Sequence, residues 1–131
     1  MCAKKGFHTI VAWQKADDLV VKVYEVTDLK KGYFPKHQLY SLIQQLQKAA
    51  VSVAANIAEG SGRGSIPDFL RFLYISQGSL RELVYYIHLA NRLGYLSSDA
   101  DKELDAMAEQ TARVLTGFIR FKKQEAQAAN S

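Results

Sequence analysis

At 131 residues the chain is long enough to bury a core without metals or disulfides and too short for two ordinary domains, so one soluble domain over residues 1–131 is expected. With 48% hydrophobic and 23% charged residues, wholesale disorder and fibrous repeats are excluded. A net charge of +4 allows an acidic partner without requiring one.

Cys2 is the only cysteine and can make neither an internal disulfide nor a cysteine-based metal site, which points to a reducing cytoplasm. No run approaches the roughly 20 apolar residues of a membrane span, and Met1 to Thr9 lacks the apolar stretch of a signal peptide, so neither membrane nor export is expected.

Apolar residues recur at helical spacing almost throughout, and the two prolines, Pro35 and Pro67, fall at joints. The first helix is predicted over 11–29, with Trp13, Ala16, Val20, Val23 and Thr27 on one face, widened by Leu19 and Val26. Lys30-Lys31-Gly32 suits its end, and Phe34 before Pro35 is biased toward a loop. The second helix is predicted over 36–59 from the seam Leu39, Leu42, Ile43, Leu46, Ala50, Val53 and Ile57, broken by Gly60 and Gly62-Arg63-Gly64. Ser65, three residues before Asp68, resembles a capping box, and Pro67 fits a first turn. The third helix therefore covers 66–93, with Phe69, Leu73, Ser76, Leu80, Leu83, Ile87 and Ala90 inward and Leu93-Gly94 as its stop. Ser98 is expected to cap a fourth helix over 99–123, its face being Leu104, Met107, Thr111, Leu115 and Phe118 beside Ala108 and Val114. The polar, alanine-rich tail from Gln124 to Ser131 is expected to fray. Four helices with short connections predict an all-α, antiparallel up-down-up-down four-helix bundle.

Between Gln38 and Ala58 the only charge is Lys48, whereas a helix facing solvent normally carries a charged side. An oligomer interface through Gln44, Gln47, Val51, Ala54 and Ala55 accounts for the deficit. Ser52, Asn56 and Glu59 share one side of the same helix, within reach of Ser79 and Glu82 on the next, which suggests a structural polar network. Neither glutamate has a histidine, nucleophile or metal partner at matching spacing, so no catalytic constellation emerges. The glycine-rich connector from Gly60 to Ser65 follows a helix and lacks the lysine and hydroxyl pair of a phosphate loop, so no nucleotide cofactor is expected. His8, His37 and His88 lie in separate elements without ligand spacing, so no metal is expected.

The run Leu46-Gln47-Lys48-Ala49-Ala50-Val51-Ser52-Val53-Ala54-Ala55-Asn56-Ile57-Ala58-Glu59-Gly60-Ser61-Gly62-Arg63 resembles the signature of the bacterial four-helix bundle proteins known as 23S rRNA intervening-sequence proteins. The likeness extends to Trp13-Gln14-Lys15-Ala16, to Asp68-Phe69-Leu70-Arg71-Phe72-Leu73 and to Gly78-Ser79-Leu80-Arg81-Glu82-Leu83. It implies a four-helix fold, a ring-like homopentamer, no enzymatic activity, and kinship with the accessory variability determinant of diversity-generating retroelements, which binds nucleic acid and a reverse transcriptase.

Placing the charges on such a bundle polarises them. Lys4, Lys5, Lys15, Arg63, Arg71, Arg120, Lys122 and Lys123 share one end with Glu59, Asp68 and Glu125, an excess of five positive charges. The opposite end balances to zero, and the middle, where Lys22, Lys48, Arg81 and Arg113 face five carboxylates, carries −1. The expected function is a non-enzymatic homo-oligomer that binds RNA or DNA through this basic end. The alternative is an oligomeric scaffold for a protein partner such as a reverse transcriptase, without nucleic-acid contact.

Overall fold

The computed structural model describes residues 6–129, and within them the chain forms four α-helices and no strand. The helices are α1 (Val11–Thr27), α2 (Leu42–Ser61), α3 (Ile66–Arg92) and α4 (Ser98–Ala129). Each packs on the two helices beside it, α1 and α3 both contacting α2 and α4. Cross-contacts give the directions. Thr27 meets Gln47, Ser52 meets Ser79, Val53 meets Ser76, and Lys22 meets Glu103. Thr27 and Lys22, late in α1, meet residues early in α2 and α4. Ser52 and Val53 meet Ser79 and Ser76 in reverse order, and Phe69 at the start of α3 meets Phe118 late in α4, so neighbours run antiparallel.

The inner faces follow the 3.6-residue period, and their rotation is set by packing. All the predicted inward residues of α3 are buried except Phe69, which is half-buried. On α1 the buried face is Ala12, Ala16, Leu19, Val23, Val26 and Thr27, while the predicted Trp13 and Val20 move to its flanks. On α4, Ala100 and Ile119 join Leu104, Ala108, Thr111 and Leu115, and Met107, Val114 and Phe118 are only half-buried. Buried hydroxyls bond to backbone carbonyls, Thr27 to Val23 at 2.7 Å and Ser76 to Val53 across the α2–α3 seam at 2.7 Å.

The ends differ from the expected bounds for identifiable reasons. Asp28 leaves helical geometry and its carboxylate accepts the Lys30 amide at 3.0 Å, which nucleates a separate turn of 3-10 helix over Leu29–Lys31. Gly32, at φ +77°, terminates that turn. α2 starts six residues later than expected. Lys36–Gln38 is its own 3-10 turn, and the Gln38 side chain accepts the Leu42 amide at 3.3 Å in place of a helix carbonyl. Ser65 caps α3 by accepting the Asp68 amide at 3.2 Å. At the start of α4 the capping hydroxyl belongs to Ser97, which accepts the Ala100 amide at 3.1 Å, rather than to the predicted Ser98. The tail does not fray as far as the structure describes it. α4 continues to Ala129, carried by alanines of high helix propensity and by a Lys122–Glu125 ion pair of 3.1 Å.

Gly60 is the most consequential departure. It lies inside α2 and is buried, and a Cβ there would sit 2.8 Å from both Phe69 Cδ1 and Phe72 Cβ. The glycine allows α3 to approach rather than stopping α2.

Candidate nucleic-acid interface

The α2–α3 connector, the start of α1 and the end of α4 share one end of the bundle, as the charge placement requires. Glu59 lies in the last turn of α2 and Arg63 just past its C-cap Gly62, and Arg63 Nη2 reaches Glu59 Oε1 at 2.7 Å. Asp68 in the first turn of α3 accepts both Nε (3.1 Å) and Nη2 (2.9 Å) of Arg71, and lies 3.8 Å from Arg63. Between the two arginines stands Phe72, with the Arg63 and Arg71 guanidinium carbons 4.6 and 4.7 Å from its ring centre. This is cation–π geometry on one ring. It exists because Gly60 lets α3 come close enough for Phe72 to reach the connector.

A second aromatic seat holds Lys122. Its ammonium lies 5.3 Å from the Phe69 ring and 5.6 Å from Phe118, with the side chain only 18% exposed. Lys123 stands over Tyr74 at 5.5 Å, and Arg120 is exposed without an ion pair among the described residues. Lys15, on α1, is half-buried near Thr111, whose hydroxyl points at its carbonyl. Lys4 and Lys5 lie outside the described residues. The remaining six cations face three carboxylates, an excess of three. The helical pattern put Phe69 inward and gave no sign that Phe69 and Phe72 seat cations. No linear spacing relates Phe72 to Arg63, and only the α2–α3 approach creates that contact.

The five residues of the expected polar network separate into three groups. Ser52 and Ser79 hydroxyls lie 2.7 Å apart, and Asn56 Nδ2 donates to Ser52 Oγ at 3.0 Å and to the Ser52 carbonyl at 2.8 Å. Glu59 turns to Arg63. Glu82 accepts the Tyr86 hydroxyl at 3.1 Å, a bond that holds the phenol above its ordinary range.

On the outer side of α2, Gln44, Val51 and Ala55 are exposed, while Gln47 is half-buried and donates to Thr27 Oγ1 at 3.0 Å. Ala54 leaves the predicted interface set, because it is 8% exposed within the chain itself and belongs to the core. A 430 Å³ depression opens between α1 and α2 along this side, lined by Tyr24, Gln44, Gln47, Lys48, Val51 and Ser52. Among the described residues no group of three or more His, Cys, Asp or Glu is placed to hold a metal ion, and no helix is long and apolar enough to cross a membrane.

Residues 8–117 match the family described as 23S rRNA-intervening sequence protein. The chain belongs to that family. The matched stretch includes Lys15, Arg63 and Arg71 and ends before Arg120, Lys122 and Lys123. Among solved structures, the chain is similar to a protein of unknown function from the S23 ribosomal protein family of Bacteroides thetaiotaomicron, with a TM-score of 0.74 and 20% identity over 84% of this chain and 96% of the other. At that identity the likeness concerns the fold. No curated protein matches this 23S rRNA-intervening sequence family member.

Proposed function

We propose that this protein is a non-enzymatic homo-oligomer that binds the phosphate backbone of RNA or DNA through the basic end of its bundle. The observation that carries the reading is the seating of cations on aromatic faces, Arg63 and Arg71 on Phe72 and Lys122 on Phe69 and Phe118. A guanidinium seated over a ring loses rotamer freedom before it binds and keeps N–H groups for phosphate oxygens. Its present partners, Glu59 and Asp68, form surface pairs worth at most about 1 kcal/mol, which a polyanion can replace. In a ring, the basic end would repeat around the axis and multiply the contacts.

Fluorescence anisotropy of labelled structured RNA and duplex DNA over a salt series tests the reading. Affinity falls with salt by about 0.9 in log–log slope per phosphate contact on duplex. Arg63→Glu with Arg120→Glu weakens binding to many sequences alike and flattens that slope, with helicity and oligomer mass kept. If the reversals change nothing, or nothing binds at low salt, the basic-end reading falls.

A second reading, an assembly scaffold for a protein such as a reverse transcriptase, is favoured by the charge-poor outer side of α2 and the open depression along it. Light scattering and pull-down with a candidate partner, performed without nucleic acid, separate the two.

A further inference from the structure

By position along the bundle, Arg81 and Arg113 belong to the middle zone, whose net charge is −1. In the folded chain they border adjoining depressions that share Ala112 and Thr116. Where α3 and α4 lie side by side, a depression of 290 Å³ is lined by Leu80, Arg81, Val84, Ala112 and Thr116. It continues into a second between Tyr74 and Thr116, Arg120 and Lys123, and into a third along α4 past Arg113, Thr116 and Gly117. Thr116 lines all three: the first two follow the α3–α4 seam, and the third, lined by α4 residues alone, adjoins them on the outer side of α4. The cations along these depressions are Arg81, Arg113, Arg120 and Lys123, against the single lining carboxylate Glu109, which pairs with Arg113 at 3.5 Å with both side chains about 70% exposed. Arg81 and Arg120 have no ion pair among the described residues.

The floor is low and partly apolar. Ala112, Thr116 and Gly117 are small, nothing lies within 4 Å of where a Gly117 Cβ would be, and Val84 is 43% exposed. Tyr74, 44% exposed, stands at one end with Lys123 over its ring. From Arg113 to Lys123 the rim runs roughly 15 Å along the helix at about 1.5 Å per residue. A stacked strand, with one phosphate per roughly 3.4 Å, lays about four phosphates over that length.

Resting on the nucleic-acid reading above, we infer that the α3–α4 furrow is a binding track for single-stranded nucleic acid. Rim cations take the phosphates, and Tyr74 and the Val84–Ala112 floor take base faces, the combination of electrostatic groove and stacking platform that serves single strands without base readout. A furrow between two helices packed about 8–10 Å apart admits one strand and not both strands of a duplex.

The test uses the full chain with a short labelled thymidine oligomer, the same sequence as a duplex, and polyglutamate as a competing polyanion. Three variants suffice, namely Arg81→Glu/Arg113→Glu in the furrow, Thr116→Trp to fill it without altering charge, and Arg63→Glu/Arg71→Glu at the basic end. The furrow reversal lowers single-strand affinity at least about tenfold and reduces the salt slope by about 1.4, two contacts at about 0.7 each for a single strand. Thr116→Trp lowers it several-fold with the slope unchanged, and both variants affect the duplex less. End reversal weakens both probes alike. If the furrow variants bind the oligomer like the parent while end reversal weakens it, the furrow inference is overturned and the proposed function stands. If polyglutamate displaces the oligomer at equal charge concentration, the track reads charge alone and the inference falls. Absence of binding to either probe at low salt overturns both readings.

Discussion

Replacing Gly60 by alanine sets two opposing effects against each other. In an open helix interior the change is favourable by up to about 1 kcal/mol, because glycine carries a larger backbone entropy cost than alanine. At Gly60 the new methyl would stand 2.8 Å from Phe72 Cβ and from Phe69 Cδ1. The Phe69 ring edge can swing, but Phe72 Cβ is fixed to the α3 backbone, so the helices must separate. Overpacking of this kind costs about 1–3 kcal/mol. Gly78, in the middle of α3, supplies the control, since nothing lies within 4 Å of its Cβ position and Gly78→Ala has only the favourable term. The expected outcome is that Gly60→Ala is less stable than Gly78→Ala by about 1–3 kcal/mol, read as the difference in urea midpoints by circular dichroism at equal m-values. Moving Phe72 outward also unseats Arg63 and Arg71, so Gly60→Ala weakens nucleic-acid affinity where Gly78→Ala does not. Equal stabilisation by the two alanines would refute the close-approach argument and return Gly60 to the role of an ordinary helix glycine.

Three further outcomes follow from packing and charge. Asn56→Ala removes two hydrogen bonds to Ser52 and lowers stability by about 1 kcal/mol without changing nucleic-acid affinity; unchanged melting with lost binding would make Asn56 a contact residue. Ala54→Glu disrupts the fold itself because its site is core, whereas Val51→Glu, at a position 39% exposed, lowers the light-scattering mass with helicity intact; an unchanged mass for Val51→Glu rules out this side of α2 as the oligomer contact. The Lys22 ammonium, bonded to Glu103 at 3.0 Å, is held above 10.5 by that hydrogen bond. A raised cationic group contributes stability that is complete below the unfolded value and lost as pH rises through the folded one. Glu103→Gln therefore costs about 0.5 kcal/mol at neutral pH, and denaturant midpoints of the two proteins begin to converge near pH 10.5 and meet once pH passes the raised folded value; a gap that does not shrink over that rise assigns the effect to packing.

Helix number, order and the inward residues of α3 were legible in the sequence, because helical periodicity and the Ser65 cap are local properties of the backbone and its neighbours. So was the gathering of Arg63, Arg71, Lys122 and Lys123 at one end, which follows from antiparallel order alone. Tertiary structure decided what those residues touch. Whether Gly60 stops a helix or admits one, whether Ala54 faces a partner or the core, and whether Phe72 is core or a seat for two guanidiniums all depend on how far each helix rotates about its axis and how closely it approaches the next. The α3–α4 furrow depends on the same quantities. Arg81 and Arg113 stand 32 residues apart, and only the packing of two antiparallel helices brings the depressions they line together at Thr116.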